Sequence, residues 1–148
     1  MTLLNRPLGS VGLGMLGLDV HTKGVRTLAE RLREFGCDVS YLGEHLTPRA
    51  LARGARDADV DIVGVSFSSG AYVDHCRDLL QAMADEDVND VPVMIGGLIH
   101  EDDHAELKAM GIKGIFGPGS TIEQIVEFIG QVARTRVQGV AEADRAKG

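Results

Sequence analysis

Short apolar runs alternate five times along this chain with stretches of helical hydrophobic periodicity. The runs at Leu8 to Leu16, Asp38 to Leu42, Asp61 to Ser66, Val91 to Ile95 and Gly114 to Phe116 predict strands, and their alternation with helices is the pattern of a parallel sheet covered on both faces. Val25, Leu28, Ala29, Leu32 and Phe35 recur at offsets of 3, 4, 7 and 10, which predicts a first helix ending at Gly36. Thr47-Pro48 supplies an N-cap and a proline at the first helical position, so a second helix runs to about Asp57. A third, from Tyr72 to Glu86, sets Val73, Cys76, Leu79, Leu80 and Met83 on one side. Glu101-Asp102-Asp103 opens a fourth with charge favourable to the helix dipole. Ser120 with Glu123, or Thr121 with Gln124, forms a capping box for a fifth whose buried stripe is Ile122, Ile125, Val126 and Ile129. Five βα units give an α/β domain over residues 1–134, a five-stranded parallel sheet with helices on both faces in flavodoxin-like order 2-1-3-4-5. From Thr135 to Gly148 the periodicity gives way to mixed Arg, Glu, Asp, Lys and Gly, the pattern of a flexible C-terminal tail.

Composition narrows the function classes. A length of 148 residues with 44% hydrophobic positions suits one domain with a sizeable core. A net charge of -7 with no Lys/Arg cluster excludes a phosphate-backbone partner, because nucleic-acid binders carry a basic footprint. Cys37 and Cys76 stand outside any Cys-x-x-Cys pattern, so neither a disulfide framework nor a cysteine metal cluster is indicated, and a reducing cytoplasm fits. No apolar run has the length of a membrane span, and Asn5, Arg6 and Pro7 interrupt the region where a signal peptide needs an apolar core.

The chemistry-bearing residues gather after the strands. Asp19, His21 and Gly24 follow the first; Ser66, Ser68, Ser69 and Gly70 end the third; Gly96-Gly97 ends the fourth; Gly117-Pro118-Gly119-Ser120 ends the fifth. In a doubly wound sheet these loops share the carboxyl edge, where ligands bind at the switch between the first and third strands. Any one such loop is accounted for by turn and cap chemistry; their coincidence with Asp19 and His21 points to a site. A ligating imidazole donates its second ring N–H to a carboxylate, and Asp19 stands two residues from His21. Gly24 permits close approach of backbone to a ligand. One histidine cannot hold a free ion, since zinc takes three or four protein ligands. A metal already enclosed in a macrocycle needs only an axial one.

The full set of motifs resembles the cobalamin-binding domain of the adenosylcobalamin-dependent acyl-CoA mutases, of the methylmalonyl-CoA mutase kind, as found in separate small subunits. The resemblance rests on Gly17-Leu18-Asp19-Val20-His21-Thr22-Lys23-Gly24, Thr47-Pro48, Val63-Gly64-Val65-Ser66 with Gly70-Ala71, Gly96-Gly97-Leu98-Ile99 and Gly114-Ile115-Phe116-Gly117-Pro118-Gly119, in family order and spacing. It implies that cobalamin binds with its own benzimidazole displaced from cobalt and His21 in its place, with Asp19 hydrogen-bonded behind the imidazole. It places the displaced nucleotide tail in a slot beside Ser66, Gly96 and Gly97, with Gly24 at its mouth and Gly117 to Ser120 nearby; Ser68 and Gly70 belong to the same set. The chemistry implied is homolysis of the cobalt–carbon bond of adenosylcobalamin and a radical rearrangement of an acyl-CoA skeleton. The family builds its substrate site in a (β/α)₈ barrel of about 250 residues, so a separate large acyl-CoA-binding subunit is implied. Two positions depart from the family pattern: Met15 stands where a Lys is common four residues before the Asp, and Ser68 where a Leu is usual.

Other readings compete. Gly12-Leu13-Gly14-Met15-Leu16-Gly17 matches the dinucleotide fingerprint Gly-x-Gly-x-x-Gly, but seven further residues precede the helix and Glu44 lies 27 residues past Gly17 rather than about 20. His100 and His104 stand four apart around an acidic first turn, too few ligands for zinc, and His45 and His75 have no readable partner. Tyr72 and Phe67 read as core. A cobalamin carrier, sensor or delivery protein is a non-catalytic alternative, although such proteins usually place a helical domain before the cobalamin domain. The small subunit of a glutamate-mutase-type enzyme is the catalytic one.

Overall fold

The computed structural model describes residues 8–17, 23–68 and 70–147, with side chains as far as Arg136. Asp19, His21 and Ser69 therefore lie outside the described residues. The elements run β1 (Ser10–Leu16), α1 (Lys23–Glu34), β2 (Asp38–Leu46), α2 (Pro48–Ala58), β3 (Ile62–Phe67), α3 (Tyr72–Asp85), β4 (Val93–Gly97), α4 (His104–Met110), β5 (Gly114–Phe116) and α5 (Ile122–Lys147). All strand pairs are parallel and the sheet order is β2-β1-β3-β4-β5, as the alternation predicts. Among the described residues no helix is long and apolar enough to cross a membrane.

The sheet separates two apolar layers. On one face α1 and α5 cover Val11, Leu13 and Met15 of β1, Ile62 of β3 and Met94 of β4. On the other, α2, α3 and α4 cover Val63, Val65 and Phe67 of β3 with Val93 and Ile95 of β4. The alternation of β3 and β4 residues between the two layers is the period-2 pleat of a strand buried on both sides. Among the described residues no polar or charged side chain is buried. The core is therefore held by apolar burial, with the backbone groups satisfied in the sheet and helices.

Local signals set the element ends. The Thr47 hydroxyl accepts from Ala50 N at 3.1 Å and caps α2 ahead of Pro48. Of the two capping boxes open to α5, Thr121 with Gln124 forms: Gln124 N donates to Thr121 Oγ1 at 3.2 Å and Thr121 N to Gln124 Oε1 at 2.9 Å. The fourth helix opens with a single tight turn over Glu101–Asp103, capped by His100 Nδ1, which accepts from Asp102 N at 3.1 Å. His100 thus has a capping role. β4 begins after Pro92, which lacks a donor but accepts from Val63 N at 2.9 Å, and it includes Gly96 and Gly97, paired with Ser66 and Phe67.

Two segments differ from the pattern read in the sequence. β2 continues four residues past Leu42 to Leu46, and its pairing with β1 shifts register twice, between Leu13 and Gly14 and between Gly14 and Leu16. Gly43 (φ +133°) and His45 (φ +55°) take the positive dihedrals of this bulged end. The chain after Thr135 is helical as far as Lys147. Ala133 is buried, and Arg136 ties α5 to the loop before β3, reaching Asp61 at 3.2 Å, Asp59 at 3.7 Å and the Val60 carbonyl. The apolar stripe thus gives way to ion pairing before the helix ends.

Candidate cofactor cleft

The α1/α5 face of the sheet loses side-chain volume toward its carboxyl edge. Along β3 the residues on this face run Ile62, Gly64, Ser66, and along β4 Met94 then Gly96, with Ser66 and Gly96 paired across the two strands. Among the described residues no large side chain fills the space between α1 and α5 there. The result is a cleft of about 230 Å³, floored by Leu13, Gly64 and Met94, with Val25 and Leu28 of α1 on one side and Ile125 of α5 on the other. A Cβ on Gly64 would fall 2.7 Å from Leu13 Cδ2 and 2.9 Å from Met94 Cε, so glycine there lets the floor close beneath the cleft.

The carboxyl-edge loops form its mouth. Of the residues singled out in the sequence, Gly24, Ser66, Gly96, Gly97, Gly117 and Ser120 line the cleft. Gly119 sits in the same turn as Gly117 and Ser120, closed by Ser120 N donating to Gly117 O at 3.0 Å, but does not line it. Ser68 and Gly70 lie past the end of β3, on the way to α3 and the opposite layer. Around Gly24, Gly117 and Gly119 a Cβ would meet nothing within 4 Å among the described residues, whose packing therefore does not require glycine there. Gly97 is different. Its φ is +112°, and a Cβ would fall 1.8 Å from the Phe67 carbonyl oxygen, so only glycine suits this strand end.

Among the described residues the walls are apolar, with the hydroxyls of Ser66 and Ser120 and the glycine backbone as polar groups and no charged side chain in the lining. Such a surface suits a flat apolar group carrying a few hydrogen-bonding atoms. The apolar part of the lining, Leu13, Val25, Leu28, Met94, Phe116 and Ile125, is indistinguishable in the sequence from ordinary core. The available signal was Gly64, which interrupts the apolar run of β3 on the face opposite Val63 and Val65. Met15 is completely buried with Val25 and Ala29 beneath α1, so the position where a lysine is common is apolar core in this chain.

The competing chemistries lose support. Gly12 and Gly14 lie inside β1, where their Cβ atoms would meet Leu42 Cδ1 at 3.0 Å and Leu51 Cδ1 at 2.8 Å, so they serve close packing and form no turn around a pyrophosphate. Among the described residues no group of three or more His, Cys, Asp or Glu could hold a metal ion. His75 stacks on Phe67 with ring centroids 6.1 Å apart, and Phe67 and Tyr72 are buried. Both cysteines are buried; desolvation raises the Cys37 thiol and pushes Cys76 up to about 12, so neither is a ready nucleophile. The Tyr72 hydroxyl donates to Asp103 and accepts from His100 N at 3.0 Å, which anchors the loop following Gly97.

The family model described as B12 binding domain matches residues 9–127. The chain belongs to the B12-binding domain family. This B12-binding domain is 34% identical to the pivalyl-CoA mutase small subunit of Xanthobacter autotrophicus, over 94% of this chain and 95% of that one. It is 30% identical to the 2-hydroxyisobutanoyl-CoA mutase small subunit of Aquincola tertiaricarbonis, over 84% and 91%. It is also 36% identical to ethylmalonyl-CoA mutase of Cereibacter sphaeroides, covering 89% of this chain but only 20% of that protein. The B12-binding domain thus spans a fifth of one relative and nearly all of the two small subunits. Among solved structures it superposes on a cobalamin-binding protein from Desulfitobacterium hafniense with TM-score 0.70 at 17% identity, over 84% of this chain and 58% of that one. It superposes on the receiver domain of the response regulator NarL from Mycobacterium tuberculosis with TM-score 0.63 at 16% identity, over 87% and 98%. At these identities the structural matches speak for the fold alone.

Proposed function

We propose that this chain is the cofactor-binding small subunit of an adenosylcobalamin-dependent acyl-CoA mutase, and that it holds cobalamin base-off with His21 as the lower axial cobalt ligand. The cleft carries the reading. It adjoins the Asp19-x-His21-x-x-Gly24 segment, whose last residue lines it, and Gly64, Ser66 and Gly96 leave its interior free of side chains. Its apolar walls match a benzimidazole, and the hydroxyls of Ser66 and Ser120 offer hydrogen bonds to the displaced nucleotide tail. Gly117, whose Cβ position has no neighbour within 4 Å among the described residues, leaves room at the mouth for the tail to enter.

Asp19 accepts the second ring N–H of His21 in this reading, which fixes the tautomer and raises the basicity of the ligating nitrogen. Adenosylcobalamin, when bound, supplies the carbon radical that starts rearrangement of the acyl skeleton. His21 would supply a ring nitrogen to the cobalt, and Ser66, Gly96 and Ser120 would border the slot for the tail. Substrate recognition falls to a large acyl-CoA-binding subunit, in keeping with the names of the two small subunits to which the chain is similar over nearly their whole length. Co-purification from the source cell, followed by assay of acyl-CoA isomerisation with added adenosylcobalamin, tests partner and reaction together. A co-purifying large subunit with isomerase activity that depends on this chain is expected. Cobalamin binding with no partner and no isomerisation would favour a carrier or sensor.

A further inference from the structure

The bulged end of β2 does more than close the sheet edge. Both backbone groups of Gly17, the last described residue before the Asp19/His21 segment, are held by β2: Gly17 N donates to Leu46 O at 3.0 Å, and His45 Nδ1 donates to Gly17 O at 3.1 Å. The other end of that segment enters α1, whose first-turn Arg26 donates from Nε to Glu44 Oε1 at 2.7 Å. Tyr41 donates to the same oxygen at 2.6 Å. Three consecutive residues, Glu44, His45 and Leu46, therefore hold both ends of the segment that carries the candidate cobalt ligand.

We infer that Glu44 and His45 are positioning residues that fix the spacing between Gly17 and the start of α1, and so pre-organise His21 for the cobalt. The inference rests on the functional reading above. The local backbone supports it: His45 holds φ +55° in the bulge, a conformation uncommon outside glycine that persists where its surroundings determine it. The bulge itself places two extra residues of β2 against β1, and without them β2 would not present Glu44 toward α1 and His45 toward Gly17. The Glu44 side chain is only 17% exposed, and the Arg26 guanidinium holds its carboxyl below the ordinary range, so the charged pair is the resting state at neutral pH. A segment whose ends are fixed before cofactor arrives has less freedom to lose on binding, and apparent affinity scales with the fraction already competent.

Two readouts test this in Glu44→Ala and His45→Asn, the latter chosen because asparagine tolerates positive φ. The first is amide hydrogen exchange over residues 17–24 in cofactor-free protein. The second is the dissociation constant for adenosylcobalamin together with the fraction bound base-off. The expected result is faster exchange confined to that segment and affinity weaker by about 10-fold, with an unchanged melting temperature. The charge-swapped pair Arg26→Glu with Glu44→Arg is expected to recover most of the affinity. Unchanged exchange, or faster exchange with unchanged cofactor binding, overturns the inference. A wild-type chain that binds no cobalamin refutes the functional reading instead, and the exchange comparison then decides whether Glu44 and His45 hold the segment ends.

Discussion

Ser66 and Gly96 face one another across β3 and β4, and the absence of bulk at these two positions leaves the cleft its depth. Ser66→Leu is expected to weaken cobalamin binding by on the order of 100-fold while leaving the fold intact, because the added side chain enters open space rather than core. Titration of the variant with cobalamin, beside its melting curve, checks both halves of that statement. A different residue sets an alkaline limit. Burial pushes the Cys76 thiol to about 12 from an ordinary 9.0, so between those values the unfolded chain loses a proton that the folded chain keeps. Stability therefore falls as pH rises through this window, by up to roughly 1.4 kcal/mol per pH unit. Urea midpoints at pH 8 and pH 10, compared between wild type and Cys76→Ala, isolate the slope. At this scale the polar and glycine part of the cleft lining is legible in the sequence, because Ser66, Gly96, Gly97, Gly117 and Ser120 are unusual where apolar runs end. It did not show the apolar lining, since Leu13, Met94 and Ile125 serve core and cleft with the same side chains.

Elements explain how the cleft stays open between two helices. α5 covers one side through Ile125, and its start is fixed by the reciprocal Thr121–Gln124 bonds. Thr121→Ala is expected to cost about 1 kcal/mol in urea unfolding, the usual worth of an N-cap. The order of the elements, the first helix and the caps at Thr47 and Thr121 were legible, because each depends on local periodicity or on a side chain bonding its own backbone. The end of β2 was not. Gly43-Glu44-His45-Leu46 has the look of a loop, and only pairing with β1 across two register shifts makes it strand. The extent of α5 is hidden for a related reason: the apolar stripe ends near Thr135, whereas the backbone remains helical to Lys147.

At the scale of the whole molecule, the fold alone does not decide the function. The same five-stranded order superposes on a cobalamin-binding protein and on a response-regulator receiver domain with TM-scores of 0.70 and 0.63. Function is therefore argued from the carboxyl-edge loops of this chain, because a site of this kind lives in residues grafted onto the fold. Membership of the B12-binding family, the similarity to two acyl-CoA mutase small subunits and the cleft beside Gly24 converge on one cofactor. The central claim is that His21 replaces the cofactor's own base on cobalt. Electron paramagnetic resonance of the Co(II) form, with ¹⁵N-histidine-labelled protein, tests it most directly. Nitrogen coupling that changes with the protein label and disappears in His21→Ala is the predicted result. Coupling that is indifferent to the label and survives in His21→Ala would come from the cofactor's benzimidazole and would contradict the account.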